Sequence, residues 1–358
     1  MEDMVTKEFL SHFRNKKVLV TGHTGFKGSW FTLLLSQIGA EVTGYSLPPR
    51  TSPNLYDLLD LKLKCNSIIG DINDTKKLEE VVLKIQPDFI FHLAAQPLVR
   101  YSYHEPIDTF STNIIGTANL LNACRSITNH CSVVCVTTDK VYHNNEWEFP
   151  YRENDQLGGY DPYSASKAAA EIVIDSYRNS YFKGTNISVA SARAGNVIGG
   201  GDWSEDRLFP DIVQSINSNN EIVLRNPSAV RPWQHVLDPL MGYLKLAHLM
   251  TVQPKAYSQA WNFGPYNHES KTVLEVCEQA IALFQKGSIR IEKQENQPHE
   301  AGLLRLDISK AMASLNWQPN WSTDLAIEKT TNWYKSFLNG SNALELVQNN
   351  IKEYINHE

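Results

Sequence analysis

The chain has 358 residues, which allows one large domain and an additional lobe, and its 42% hydrophobic and 20% charged residues are ordinary for a globular protein. Its formal net charge of -6 disfavours a nucleic-acid surface, and its apolar stretches are too short to span a bilayer. We also expect no signal peptide, because the first residues contain no basic segment that leads into an apolar one.

Strand-like and helix-like segments alternate through the first half of the chain. The predicted strands are Lys17–Thr21, Glu41–Tyr45, Phe89–Leu93, Val133–Thr137 and Ile187–Ala192. The predicted helices are Phe26–Ile38, Lys76–Ile85, Thr109–Cys124 and Ala165–Tyr181. The strands are continuously apolar, so both of their faces should be buried in a parallel sheet. The alternation predicts an α/β fold of the Rossmann type, with a doubly wound parallel sheet.

The pattern changes beyond about Asn196, where Gly199–Gly201 forms a flexible break and proline, tryptophan and asparagine become frequent. We expect residues 1–195 to form a Rossmann domain that binds a dinucleotide, and residues 196–358 to form mostly a smaller α/β substrate lobe. Val236–Leu249 should be a helix, in a segment from about 235 to 265 that returns to the first domain.

The five cysteines contain no CxxC pair, and the histidines show no HExxH spacing. We therefore expect no metal site. Buried, reduced thiols are the simpler interpretation, and they suit a cytoplasmic protein.

The first predicted strand leads into a glycine-rich loop, VLVTGHTGFKGSW, in which Gly22, Gly25 and Gly28 are spaced three apart. Such glycines permit a tight turn and let the backbone approach a pyrophosphate, while the helix that follows points its amides at the anion. Thr24 and Phe26, between the glycines, belong to the same predicted site. The position between a strand and a helix is what makes this weak motif indicative of dinucleotide binding.

The adenine end of this site is ambiguous. The second strand ends in Tyr45–Leu47 without the usual acid, and Arg50 lies nearby, which leaves NAD and NADP both open. In GDIND, Asp71 and its neighbour Ile72 can contact the adenine, although a helix N-cap is an equally good explanation for an aspartate there.

A catalytic pair is suggested by YDPYSASKAAAE, where Tyr163 and Lys167 are four apart and so share one helix face. A nearby ammonium lowers the pKa of a phenol, which would let Tyr163 exchange a proton with a carbinol. By chance, however, such a spacing usually marks a helix surface. Thr137 and Thr138 end the preceding strand, where a hydroxyl can bond the same substrate oxygen.

In this order, the glycine loop, the two threonines and YxxxK resemble the extended short-chain dehydrogenase/reductase family. FHLAAQ (Phe91–Gln96) and TNIIGTANLL (Thr112–Leu121) are similar to further motifs on the cofactor side of that family. The resemblance implies NAD as the cofactor, with Lys167 on its nicotinamide ribose. It also places Leu93, Ala94 and Ala95 along NAD, and it groups Asn113 with the cofactor site as a support of the active-site strand.

Four longer blocks, GHTGFKGSW, TTDKVY, RAGNVIGGGDW and RPWQHVLDPL, are similar to nucleotide-sugar 4,6-dehydratases, in particular those that act on CDP-glucose. The resemblance covers nearly the whole chain. It implies a redox-neutral dehydration in which NAD takes hydride from carbon 4 of the sugar and returns it to carbon 6. The product, CDP-4-keto-6-deoxy-D-glucose, would serve the synthesis of deoxy- and dideoxyhexoses for surface polysaccharides such as O-antigen.

Asp139 and Lys140 follow the two threonines, and an incidental ion pair in a solvated loop is the plain alternative to a catalytic role. Eliminating water requires one acid and one base beyond Tyr163 and Lys167, and the resemblance assigns them to this pair. Related dTDP-glucose dehydratases have a glutamate as the carbon-5 base at the position of Lys140. An ammonium cannot accept a proton, so the identity of this base stays open.

The second lobe should bind the nucleotide sugar. Arg207 or Arg231 can pair with the diphosphate through a forked guanidinium, although surface salt bridges are the alternative. Other expected substrate contacts, some of which equally fit core packing, are Gln96, Asn196, Phe209, Trp233 and His299.

Two alternatives follow from the same residues. Another nucleotide-sugar dehydratase or a 4-epimerase would share the fold, but an epimerase would not need Asp139 and Lys140. A non-catalytic cofactor sensor would not need Tyr163 and Lys167.

The family resemblance further implies a homodimer or a dimer of dimers, built on Thr109–Cys124 and Ala165–Tyr181, and no nucleic-acid or membrane partner.

Overall fold

A computed structural model of the chain describes residues 9–292 and 301–357. Seven parallel strands form the main sheet, in the order β3-β2-β1-β4-β5-β6-β11. These strands are β1 (Lys17–Thr21), β2 (Glu41–Ser46), β3 (Asn66–Ile69), β4 (Phe89–His92), β5 (Cys131–Val136), β6 (Ile187–Ala194) and β11 (Ala260–Phe263). The reversal of order between β1 and β4 creates the crevice in which doubly wound sheets bind ligands.

Burial of the sheet on both faces confirms the expectation drawn from the continuous apolar strands. All residues of β5 and β6 are buried. Alternate residues enter different cores: Val134 and Val136 contact one hydrophobic cluster, and Val133 and Cys135 contact the other. Helices cover both faces, which is why the strands could not carry a polar side.

The helices of the first half are α1 (Phe26–Gln37), α2 (Leu55–Leu58), α3 (Thr75–Ile85), α4 (Val99–His104), α5 (Pro106–Phe110), α6 (Gly116–Cys124) and α7 (Pro162–Tyr177). A π-helical turn, Ser111–Ile115, joins α5 to α6, so the predicted helix over Thr109–Cys124 is helical throughout. Helix α7 begins three residues earlier than predicted. Asp161 accepts a hydrogen bond from the backbone N–H of Ser164, and Pro162 occupies the first turn, where it costs no hydrogen bond.

Short elements build the second lobe. Its strands are β7 (Val197–Ile198), β8 (Ile222–Leu224), β9 (Val230–Arg231), β10 (Gln234–His235), β12 (Lys271–Thr272) and β13 (Ile289–Ile291), which pair as β7–β10, β8–β13 and β9–β12. Its helices are α8 (Leu208–Asn217), α11 (Val273–Phe284), α12 (Thr323–Leu338) and α13 (Ala343–His357).

Residues 237–263 lie between these short elements in the chain and pack on or join the main sheet. Helix α9 (Leu237–Val252) packs on β5 and β6, and after α10 (Pro254–Tyr257) strand β11 pairs with β6. Within the described part of the chain, no helix has both the length and the apolar character needed to cross a bilayer.

Candidate active site

A cleft of about 1040 Å³ lies at the carboxyl ends of the central strands, between the main sheet and the second lobe. The predicted cofactor residues that line it are Gly22, Thr24, Gly25, Phe26, Gly28, Asp71, Ile72, Leu93, Ala94, Ala95, Thr137, Tyr163 and Lys167. The predicted catalytic and substrate residues that line it are Thr138, Asp139, Lys140, Asn196, Arg207, Phe209, Arg231 and Trp233. Segments far apart in the chain therefore meet at one place.

The glycine loop lies at the N-terminus of α1. Gly22 has a φ of +78°, and a Cβ there would come within 2.7 Å of the backbone nitrogen of Ala94. A Cβ on Gly28 would lie 2.0 Å from the carbonyl oxygen of Gly22. Gly25 is exposed, and the nearest protein atom to a Cβ there would be 3.5 Å away. The first and third glycines thus permit the turn, while Gly25 leaves its open side to a ligand.

In GDIND, which is predicted to lie near the adenine, an aspartate is expected either to contact the ligand or to cap a helix. Asp74 caps α3, because its side chain accepts a hydrogen bond from the backbone N–H of Lys77. Asp71 and Ile72 line the cleft instead. Ser46 shares a 2.8 Å hydrogen bond with Thr24, and Arg50 also lines the cleft.

Tyr163 and Lys167 lie on the first two turns of α7, and both are buried with less than a tenth of their surface exposed. The ammonium of Lys167 donates to the carbonyl oxygen of Val136 at the end of β5. Tyr163 and Thr138 both line the cleft. A shared contact of their hydroxyls with one substrate oxygen stays a prediction.

Burial governs the charge of this pair. It raises the pKa of Tyr163 to about 12, against the lowering influence of Thr138 and Arg207. The same desolvation lowers the pKa of Lys167 to about 8. The expected depression of the phenol pKa by an ammonium is thus absent, because burial disfavours both phenolate and ammonium.

Asp139 is buried just beyond β5. Its Oδ1 accepts a 2.9 Å hydrogen bond from the hydroxyl of Thr138, while its buried Oδ2 has no hydrogen-bond partner among the described residues. Desolvation raises its pKa, and Lys140 and Arg231 oppose that rise. A carboxyl group held closer to its protonated form, beside a half-buried lysine, is suited to donate a proton.

Two predicted ligand contacts lie behind the cleft wall. Gln96 is fully buried, and its side chain bonds to the backbone of Leu98 and the hydroxyl of Thr109. Asn113, in the π-helical turn, accepts from the backbone N–H of Gln96 and donates to its carbonyl and to the hydroxyl of Ser166 on α7. Both amides are occupied by protein groups, so they support the loop after β4 instead of facing the cleft.

The substrate-lobe arginines differ in their surroundings. Arg207 forms a 2.8 Å ion pair with Asp202, and the guanidinium of Arg231 donates to the carbonyl oxygen of Val230. Phe209 and Trp233 are buried, so they serve the core as well as the cleft wall. The predicted contact of His299 lies outside the described residues.

Lys27 is a cleft residue that the motif analysis did not single out. It stands inside the glycine loop, lines the cleft and donates a 3.3 Å hydrogen bond to the hydroxyl of Tyr243. Desolvation, followed by the charges of Arg207 and Lys167, lowers its pKa to about 7. The lysine between Gly25 and Gly28 was visible in the sequence, but its burial near Arg207 and Lys167 depends on the fold.

The metal-ligating residue types do not gather in the described part of the chain: it contains no cluster of three histidine, cysteine or carboxylate side chains that could hold a metal ion.

Known proteins are similar to this chain over nearly its full length. The chain is 44% identical to the CDP-glucose 4,6-dehydratase of Salmonella typhimurium, over 98% of this chain and 99% of that protein. It is 25% identical to the UDP-glucose 4-epimerase of Mycoplasma pneumoniae, over 90% of this chain and 98% of the other. The fold matches the crystal structure of the dTDP-glucose 4,6-dehydratase of Bacillus anthracis in complex with NAD, with a TM-score of 0.75 and 24% identity over 92% and 99% of the two chains.

The family described as GDP-mannose 4,6 dehydratase matches residues 19–330, a span that contains the glycine loop, the end of β5, α7 and most of the second lobe. The chain therefore belongs to the GDP-mannose 4,6 dehydratase family, within the extended short-chain dehydrogenases/reductases.

Proposed function

We propose that this protein is an NAD-dependent CDP-glucose 4,6-dehydratase, which converts CDP-D-glucose to CDP-4-keto-6-deoxy-D-glucose and water. The observation that carries the proposal is the meeting of the hydroxyl pair, Tyr163 and Thr138, with Asp139 and Lys140 in one cleft. The relative that is 44% identical supplies the substrate class.

NAD fits the groups that line the cleft. The open side of Gly25 and the N-terminus of α1 suit a pyrophosphate, and Asp71 and Ile72 lie where an adenine would rest. When bound, NAD supplies the hydride acceptor for carbon 4 of the sugar and the hydride donor for carbon 6. The protein supplies the proton transfers, the orientation of the sugar and the exclusion of water.

In the first half of the reaction, Tyr163 takes the proton of the 4-hydroxyl. Thr138 orients that oxygen, and Lys167 stabilises the phenolate through its positive charge. Because burial raises the pKa of the phenol, the positive charges around it have to favour its ionised form once the cleft is filled. Arg207 acts in this direction already in the ligand-free cleft.

In the second half, a 4-ketone makes the hydrogen on carbon 5 acidic, and water leaves from carbon 6. Asp139 protonates the departing hydroxyl, as its raised pKa and its unbonded Oδ2 favour. Lys140, the next residue, removes the proton from carbon 5 in its neutral form. One side chain thus acts as the acid and its neighbour as the base.

The second lobe binds the nucleotide part of the substrate in this proposal. Arg207 and Arg231 hold the diphosphate, because both are on the cleft wall and a guanidinium matches phosphate oxygens with two parallel donors. Asn196 contacts a sugar-phosphate oxygen, and Phe209 and Trp233 shape the wall around the base and ribose.

Incubation of the protein with CDP-glucose and NAD tests this function. The expected result is loss of one water, seen by mass spectrometry, together with the ultraviolet absorbance of a 4-keto sugar in alkali. dTDP-glucose and UDP-glucose are the matched controls and should react more slowly. Formation of the C4 epimer with no loss of water would identify a 4-epimerase instead, and binding without any turnover would identify a cofactor sensor.

Three further properties complete the proposal. The enzyme works as a homodimer or a dimer of dimers, an arrangement supported by exposed isoleucines on the predicted interface helices. It works in the cytoplasm, which suits its five free cysteines. Its product feeds the synthesis of deoxy- and dideoxyhexoses for surface polysaccharides, since a 4-keto-6-deoxy sugar is the reactive precursor that such sugars require.

A further inference from the structure

A buried carboxylate lies directly behind the catalytic pair. Glu171 follows Lys167 by four residues and Tyr163 by eight, so the three side chains share one face of α7. Only 4% of its surface is exposed, although a carboxylate is rarely buried without partners. Glu171 is the last residue of the segment YDPYSASKAAAE, and it does not line the cleft.

The carboxylate is held by two strands. Its Oε1 accepts a 2.5 Å hydrogen bond from the hydroxyl of Thr137, which directly follows β5. Its Oε2 accepts from the hydroxyl of Ser191 at 2.7 Å and from the guanidinium of Arg193 at 2.8 Å, both on β6. Glu171 therefore connects the catalytic helix to the strand end that leads into Thr138 and the acid–base pair.

Arg193 is itself fixed on its far side. Its Nη1 donates to the hydroxyl of Tyr142 and to the carbonyl oxygen of Glu153, each at 2.9 Å, and its guanidinium lies 5.0 Å from the centre of the Tyr142 ring. This anchoring holds the carboxylate of Glu171 in place, because its partner cannot move toward the cleft.

Glu171 also supplies negative charge to Lys167. Desolvation lowers the pKa of Lys167, and a negative charge on Cys135 of β5 or on Glu171 raises it. Burial raises the pKa of Cys135 to about 12, so its thiol is neutral in the physiological range, and His92 on β4 is neutral because its pKa is lowered to about 3. Lys27 on α1 is a competing cation. The carboxylate of Glu171 thus opposes both desolvation and the repulsion from Lys27.

We propose that Glu171 is a positioning residue that keeps the buried Lys167 protonated while it ties α7 to the ends of β5 and β6. The proposal rests on the proposed role of Lys167 beside Tyr163. Without this charge, Lys167 loses its proton at a lower pH and the phenolate of Tyr163 loses its support.

Glu171→Gln tests the charge with little change in shape. Competitive labelling of the ligand-free protein with trace acetic anhydride, read by mass spectrometry across pH, gives the titration midpoint of Lys167. We expect this midpoint to fall by about one pH unit or more, and the alkaline limb of the kcat profile to move with it. An unchanged midpoint for Lys167 would overturn the proposal, even if activity falls, because a purely structural role lowers kcat equally at every pH.

Two further variants separate charge from folding. Ser191→Ala removes one hydrogen bond from the same carboxylate and keeps its charge, so the midpoint of Lys167 should stay where it is; a fall as large as in Glu171→Gln would contradict the charge argument. If Glu171→Gln fails to fold because Arg193 is left buried without a countercharge, a double variant replaces it. Glu171→Gln, Arg193→Met restores an uncharged interior, which proteins often tolerate, and should still show the lowered midpoint.

These measurements remain informative if the proposed function fails. The labelling needs neither substrate nor cofactor, so it tests the charge of Lys167 in its own right. Turnover of CDP-glucose by the unchanged protein tests the function separately.

Discussion

Removal from water sets the charge of the side chains in the cleft more strongly than their neighbours do. Desolvation is the largest influence on the pKa values of Tyr163, Lys167, Asp139 and Lys27. In each case it favours the neutral form, which is the form that Asp139 needs before it donates a proton. Tyr163 and Lys167 act in their charged forms in the proposed first step, so they depend on the charges around them to offset desolvation.

Lys140→Ala separates the two halves of the reaction. Tyr163, Lys167 and Thr138 remain, so oxidation at carbon 4 should still occur, while loss of water slows by about 10²–10⁴-fold. A single turnover should show the absorbance of reduced cofactor without loss of water. If the variant still exchanges deuterium at carbon 5 at the unchanged rate, Lys140 is not the base.

Asp139→Asn should stall at the same stage, because the amide cannot protonate the leaving hydroxyl. Tyr163→Phe is the contrasting variant: it should suppress the reduced-cofactor signal itself. Water loss at the normal rate in Asp139→Asn would show that the acid lies elsewhere.

Lys27→Met should stabilise the ligand-free protein, and more so at pH 6 than at pH 9. The folded pKa of Lys27 is about 7 and the ordinary value is 10.5, so the unfolded chain binds more protons between these values and stability rises with pH there. Below about pH 7 the folded protein must hold a partly buried ammonium, and the substitution relieves that cost. Thermal melts at the two pH values measure the difference, and equal gains would contradict the buried charge.

Asp161 is the N-cap residue of helix α7. The side chain of Asp161 accepts from the backbone N–H of Ser164 at 2.9 Å and from its hydroxyl at 2.6 Å. Asp161→Ala should therefore cost about 1 kcal/mol of unfolding free energy and lower activity, because Tyr163 stands in the first turn. Urea denaturation checks the first effect. Asp161→Asn keeps an acceptor and should recover most of the stability.

The outer face of α7 and the π-helical turn before α6 carry apolar side chains that the single chain does not bury. Ile172 is 62% exposed, and Ile115, in the π-helical turn before α6, is 53% exposed. If they form the proposed dimer interface, Ile172→Glu should convert the dimer to a monomer at micromolar concentration in sedimentation velocity. Leu83→Glu, on the exposed part of α3, is the matched control and should leave the dimer intact. A purely 40.5 kDa species for the unchanged protein would refute the interface.

The proposed reaction predicts that the cofactor acts catalytically. Hydride that leaves carbon 4 returns to carbon 6 of the same sugar, so one equivalent of NAD per site should support many turnovers. Deuterium placed on carbon 4 should appear on carbon 6 of the product. Stoichiometric build-up of reduced cofactor during turnover would show an ordinary dehydrogenase instead.

The sequence by itself determined the features that depend on local pattern. Apolar runs set β1, β4 and β6 within about two residues, since a buried parallel strand needs an unbroken apolar segment. The glycine spacing determined the turn before α1, and the four-residue spacing put Tyr163 and Lys167 on one helix face. Motif order then indicated the family, to which the chain belongs.

Only the tertiary structure decided how distant segments act on one another. It placed Gln96 and Asn113 behind the cleft wall, where they bond to each other. It brought Lys27 close enough to Lys167 for their charges to interact, and it paired Glu171 with Arg193. It also reversed the expected pKa shift of Tyr163, because burial outweighed the lowering influence of Thr138 and Arg207. The physical reason is that desolvation and pairing depend on the packing around a side chain, which comes from residues far away in the chain and has no signature in the local sequence.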